Sequence, residues 1–122
     1  MIQDVVNIIN DKLVKFDFFE FSVLSYDKQN IVIAGSDDFM YYHNFEIHFH
    51  DVFAYIGNFD WQVNGNASAL IEIVSGYEAI DLNTKYYVEI GNIIFKFNSK
   101  DGVSIYVIAK SISLNDMVVK YY

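Results

Sequence analysis

The chain has 122 residues, the length of one domain, and carries eight Lys, no Arg and sixteen Asp plus Glu, a formal net charge of −8. That sign is wrong for nucleic-acid backbones and for anionic membranes, so neither is an expected partner, and the missing Arg removes any guanidinium clamp on phosphate. No cysteine is present, which excludes disulfides, thiol nucleophiles and cysteine-ligated metal, and a 53% hydrophobic content excludes a disordered chain.

Ile2, Val5, Val6, Ile9 and Leu13 recur at helical spacing between Asp4, Asn7, Asp11 and Lys12. This predicts a short amphipathic helix over about residues 2–14, with Asp4 near its N-cap. The first residues show no basic region or cleavage site, and no apolar run reaches the ~18 residues of a membrane span. The expected location is therefore cytoplasmic, without membrane. Zero Pro, zero Arg and abundant Ile, Asn, Tyr, Phe and Lys fit AT-rich coding and point to a bacterial source.

After about residue 16 the period becomes two. Phe19, Phe21 and Val23 alternate with Glu20, Ser22 and Leu24, the polar turn Asp27-Lys28-Gln29-Asn30 follows, and Ile31-Val32-Ile33-Ala34 returns, a hairpin signal. Gly35-Ser36-Asp37-Asp38 breaks it, and His43 reads as a turn residue. Phe45, Ile47 and Phe49 then share one strand face, opposite Glu46, His48 and His50. Residues 58–68 read as the long loop. Further strands are expected over residues 70–74, 78–82, 84–90, 93–98 and 103–109, separated by Ser75-Gly76, Gly91-Asn92 and Lys100-Asp101-Gly102. The expected fold is one α+β domain over residues 1–122, mostly β. Its short N-terminal helix precedes an antiparallel meander sheet from about residue 18 to 110, open to partial closure into a barrel.

Within that sheet, His48 and His50 point the same way with Cα atoms ~6.6 Å apart, so both imidazoles can converge on one metal ion. Glu46 is poorly placed as a third ligand, which leaves Glu72, Glu89 or Asp81 from a neighbouring element. The plainer reading is a polar, solvated sheet face. Asp60, Gln62, Asn64, Gly65 and Asn66 echo a calcium loop, but the required Glu is replaced by Ile71, with Glu72 one residue late. Asn66-Ala67-Ser68 matches a glycosylation sequon, an idle match without secretion. No nucleophile elbow, P-loop or dinucleotide fingerprint occurs, and Glu20, Glu46 and Glu72 are undistinguished as acid–base candidates. No cofactor and no catalytic residue is expected.

Aromatic residues make up 18% of the chain. Most lie on period-two faces and read as core, whereas Tyr41-Tyr42, Tyr55, Trp61, Tyr86-Tyr87 and Tyr121-Tyr122 fit that pattern less well and could serve recognition. Asp27, Asp37, Asp38, Asp51, Asp60, Asp101 and Asp116 fall in expected turns, and turn chemistry alone recruits Asp. Two of these loops pair acid with aromatic groups, making Asp37, Asp38, Asp60 and Trp61 the expected partner-contact residues. So apolar a small domain, with no Pro to guard its edge strands, is also expected to form a homodimer through a sheet edge or aromatic surface.

Phe18-Phe19-Glu20-Phe21-Ser22-Val23-Leu24-Ser25-Tyr26-Asp27, then Asn30-Ile31-Val32-Ile33, then Phe45-Glu46-Ile47-His48-Phe49-His50-Asp51-Val52, resembles a class of small bacterial β-rich proteins. That class includes immunity proteins of toxin systems. The His-Asp pair often found at its first strand is replaced here by Phe16-Asp17-Phe18. The resemblance implies a non-enzymatic cytoplasmic binding protein whose partner is a basic toxin, occluded through an acidic, aromatic surface. The competing expectation is a metal or small-ligand binding protein built on His48 and His50.

Overall fold

The computed structural model describes residues 1–64 and 70–122. The helical repeat at the N-terminus becomes α1 (Ile2–Leu13), whose Val6, Ile9 and Leu13 are buried. The alternating segments become β1 (Phe19–Asp27) and β2 (Asn30–Ser36), paired antiparallel as a hairpin across Asp27 and Asn30. A two-residue β3 (Tyr42–His43) precedes the long β4 (Phe45–Ile56) and the short β5 (Asp60–Val63). The chain then forms β6 (Ile71–Ile73), α2 (Gly76–Lys85), β7 (Ile93–Asn98), β8 (Ser104–Asn115) and β9 (Val119–Lys120).

Seven strands form one antiparallel sheet in the order β5-β1-β2-β4-β8-β7-β6, and β3 pairs with β9 in a small second sheet. The α+β, mostly-β class, the leading helix and the antiparallel sheet are as the sequence predicts, and the sheet curls into a half-barrel. The strand order is not a plain succession. β5 returns to the outer edge of β1, and β4 pairs with β8 across most of its length. The curl brings the far ends together, so that the Lys100 amide donates to the Gln62 carbonyl at 2.7 Å.

The concave face holds the main core. Phe19, Phe21, Ile33, Phe45, Ile47, Phe49, Phe95 and Phe97 are almost wholly buried, and α1 packs into the same cluster. Each such side chain contributes ~2–3 kcal/mol of burial. Gly35 is required here for space. A Cβ at that position would stand 2.7 Å from the Phe19 ring and 2.9 Å from the Phe21 ring.

The convex face carries a smaller cluster of Val74, Ile94 and Ile108, which Ala79 and Leu82 of α2 help cover. The sequence predicts strands at 78–82 and 84–90, and the structure corrects both, because residues 76–85 are helical and residues 86–90 follow as turn and irregular chain. Ala79 and Leu82 lie three residues apart and meet one apolar patch, a spacing that a helix satisfies and a strand does not. Three smaller corrections follow from pairing. His43 is in β3 and 2% exposed rather than in a turn, the last long strand runs on to Asn115, and part of the expected 58–68 loop is β5. The calcium-loop positions Gly65 and Asn66, and the sequon Asn66-Ala67-Ser68, lie outside the described residues.

Asp51, expected in a turn, instead lies inside β4 with φ 53°. Strict alternation after Phe49 would turn Asp51 towards the core and Val52 away from it. The left-handed backbone, which Asp tolerates better than most residues, reverses that phase. Asp51 is consequently exposed, while Val52 packs against the main core. A register shift between Val52 and Ala54 then splays Phe53 outward. These two irregularities shape the surface described next.

Candidate functional site

The expected contact residues do not form one surface. Asp37 and Asp38 follow the end of β2, in a loop that uses their side chains internally. The Tyr42 hydroxyl donates to Asp37 Oδ1 at 2.9 Å, and the Met40 amide donates to Asp38 Oδ1 at 3.2 Å. The Asp37 bond, then burial, push the Tyr42 phenol above its ordinary value. Asp60 pairs with Ser22 on β1, whose hydroxyl donates to Asp60 Oδ1 at 2.6 Å. In register terms it lies ~10 Å along and ~10 Å across the sheet from Asp37. Trp61 is corrected outright. It is buried among Phe21 and Phe97, with ring centroids 5.6 and 5.0 Å away, and is core rather than a surface anchor.

His48 and His50 do share the outer face of β4, with ring centroids 6.4 Å apart. Each is already engaged. His48 Nε2 lies 3.0 Å from Glu46 Oε1, and His50 Nε2 lies 2.9 Å from Ser113 Oγ. Among the described residues, no three His, Cys, Asp or Glu side chains are placed to hold a metal ion.

The alternation of β4 and the β3–β9 pairing instead assemble a polar chain centred on Glu46. His43 Nε2 stands 2.8 Å from Glu46 Oε2, and His43 Nδ1 stands 2.6 Å from the Tyr121 hydroxyl. An ionised Glu46 only accepts, so in the neutral imidazole Nε2 carries the hydrogen and Nδ1 accepts from Tyr121. Burial alone would raise the Glu46 carboxyl, but the hydrogen bonds and charges of His48 and His43 outweigh it and hold the group below its ordinary value. Burial and then the charge of Glu46 push the Tyr121 phenol up. The chain ties the C-terminal strand to the sheet.

A pH dependence follows. A carboxyl lowered on folding stabilises the native state above its ordinary value of 4.5, and that stabilisation disappears as the pH falls through the lowered value. Urea midpoints measured from about pH 6 to about pH 3 should therefore decline at the acid end, and less steeply in Glu46→Gln. Identical slopes would dismiss the Glu46 contribution.

Tyr55, marked by the sequence as an aromatic outside the core pattern, joins residues that sequence reasoning does not place in a site to line a cleft of ≈ 410 Å³ at the β1–β2 hairpin end of the sheet. Val23, Ile31, Val52 and Tyr55 form its base over the main core, and Tyr26, Phe53 and Phe59 stand around it. Phe59 is 68% exposed and stacks parallel on Tyr55, with centroids 5.9 Å apart. The Tyr55 hydroxyl donates to the Asn58 carbonyl, and the Val23 amide donates to the Phe59 carbonyl at 2.8 Å, so the loop carrying Phe59 is anchored at both walls. Asp60 follows Phe59, Asp27 follows Tyr26 and Asp51 precedes Val52, all three exposed. Burial, then the charge of Asp60, push the Tyr55 phenol up.

A larger hollow of ≈ 560 Å³ beside α2 is lined by Glu78, Asp81, Leu82, Thr84, Lys85 and Tyr106. There Glu78 accepts from Lys96 at 2.9 Å and from Tyr106 at 2.5 Å. At the opposite end of β2 from the cleft, Met40, Tyr41, Met117, Val118 and Tyr122 make an exposed apolar patch around β3 and β9. Among the described residues, no helix is long and apolar enough to cross a membrane. No family model, curated protein or solved structure matches this chain.

Proposed function

We propose that this chain is a non-enzymatic protein-binding domain of the bacterial cytoplasm, acting as an immunity protein that occludes a basic toxin. The observation that carries the reading is the aromatic cleft with carboxylates around it. Exposed Phe59 and Phe53 are the kind of rigid apolar anchors that dominate protein interfaces, and Asp27, Asp51 and Asp60 give the same region a negative field. The net charge of −8 supports a partner of opposite sign. On this reading, Asp60 keeps its contact role and Asp37 and Asp38 give way to the aromatic residues of the cleft. The self-association expected from composition falls to the apolar patch around β3 and β9.

The test is co-expression with the product of the adjacent open reading frame, followed by co-purification and binding kinetics. Phe59→Ala should accelerate dissociation at least ~10-fold, while Asp27→Asn with Asp60→Asn should slow association and flatten its salt dependence. A bound partner indifferent to all these changes would end the reading of the cleft as the contact site.

A further inference from the structure

We infer that the cleft at the β1–β2 hairpin end receives an arginine side chain of the protein partner. The inference rests on the binding role proposed above and names the group that enters. Three features of the cleft converge on it.

The lining is apolar and aromatic, with Tyr26, Phe53 and Phe59 around a base of Val23, Ile31, Val52 and Tyr55. The two tyrosine hydroxyls donate to main-chain carbonyls, Tyr26 to Lys28 and Tyr55 to Asn58, so towards an occupant they can only accept, which suits a group made wholly of donors. One ring is also widely accessible. Phe59 runs parallel to Tyr55, with 2° between the planes and centroids 5.9 Å apart, an offset arrangement, and its 68% exposure leaves ring surface open to a stacking partner.

The second feature is charge. Asp60 lies close enough for its charge to raise the Tyr55 phenol, Asp51 and Glu89 line an adjoining hollow that shares Val52 and Phe53, and Asp27 follows Tyr26 on the hairpin. Against these four carboxylates stand Lys28 on the hairpin turn and Lys110 in the adjoining hollow. Among the described residues, none of the four carboxylates is in an ion pair. A purely apolar occupant would satisfy the walls and leave the negative field of these nearby carboxylates uncompensated.

The third feature is the match to one side chain. Arginine has a methylene stem that lies along apolar surface and a planar, weakly hydrated head that stacks on aromatic faces and pairs with carboxylates. Lysine has the stem but holds its water more tightly. This chain contains no Arg of its own, so the side chain must come from the partner.

The experiment uses the full chain and three capped amino acids as probes: N-acetyl-argininamide, its uncharged near-isostere N-acetyl-citrullinamide, and N-acetyl-leucinamide. Aromatic ring resonances are followed by NMR during titration. The arginine probe should shift Tyr26, Phe53, Tyr55 and Phe59 with millimolar affinity, as suits so small a ligand. Citrullinamide should bind at least ~5-fold more weakly, and Asp60→Asn or high salt should narrow that gap. Phe59→Ala, at an exposed position where folding is not in question, should abolish the shifts.

Equal binding of arginine and citrulline probes, preference for leucine, or arginine shifts centred elsewhere would each overturn the inference. No shift up to the solubility limit of the probe would overturn it too. The wider binding role is judged separately: a partner captured through Phe59 in the co-expression assay upholds that role even if the leucine probe wins here.

Discussion

Replacing Phe21 with Ala should destabilise the fold by about 3–5 kcal/mol, the range for removing a fully buried aromatic side chain. Phe21 belongs to β1, yet its ring meets Phe19 at 5.5 Å, Phe45 of β4 at 6.3 Å, Trp61 of β5 at 5.6 Å and Phe97 of β7 at 5.2 Å. In the strand order β7 is far from β1, and only the curl of the sheet places Phe97 against Phe21. The ring therefore joins the sheet across the concave side, where collapse after truncation is resisted by surrounding rings that already pack edge to face. Urea unfolding monitored by the single buried Trp61 measures the loss directly. Phe53→Ala, at a position 39% exposed on the cleft, is the comparison and should cost under about 1 kcal/mol. A Phe21→Ala loss no larger than that of Phe53→Ala would contradict the curled packing.

Asn10→Leu should cost about 2–4 kcal/mol although it makes the helix more apolar, because the side chain acts as a substitute strand. Asn10 Oδ1 accepts from the Leu70 and Ile71 amides, both at 3.0 Å, and Asn10 Nδ2 donates to the Ile71 carbonyl at 2.8 Å. β6 is the last strand of the sheet, so these main-chain groups face the helix rather than another strand. Losing three bonds at about 1 kcal/mol each, with partly buried partners left unmet, gives that range. Hydrogen exchange at the Leu70 and Ile71 amides should quicken in Asn10→Leu before global unfolding does. Unchanged protection at both amides would show that Asn10 is not what satisfies the edge. Asn10→Asp keeps the acceptor and loses the donor, so its cost should fall between the parent and Asn10→Leu.

The functional residues divide along the same physical line as the structural elements. Trp61 looked like an anchor because Asn58, Asp60, Asn64 and Gly65 around it are loop formers, and local chemistry had no knowledge of β1 waiting to pair with Asp60–Val63. Phe53 and Tyr26 carry no local mark of a site, since each sits among residues that read equally well as strand or turn, and Phe59 stands out only as part of the acidic, aromatic loop at Asp60 and Trp61. α2 has a legible start, Ser75-Gly76-Tyr77-Glu78, the Ser-x-x-Glu spacing of a helix N-terminus, although Ser75-Gly76 reads equally well as a turn between strands. Glu46 was set aside as a metal ligand on distance from His50, and its bonds to His43 and His48 depend on a backbone path that places His43 beneath it.

What the sequence by itself determined is whatever depends on neighbours within a few residues. The helical repeat of Val6, Ile9 and Leu13, the alternation of Phe19 and Phe21 and of Phe45, Ile47 and Phe49, and the turn at Asp27–Asn30 fixed α1, the first hairpin and the inward face of β4. These follow from the 3.6- and 2-residue periods of the backbone. What only the tertiary structure decided is whatever depends on partners far along the chain. β4 against β8, β5 back onto β1, Tyr121 onto His43, and Tyr26 onto the cleft it shares with Phe53 and Phe59 join residues tens of positions apart. Such pairings are selected by burying all the apolar faces at once, and no local pattern encodes that collective choice.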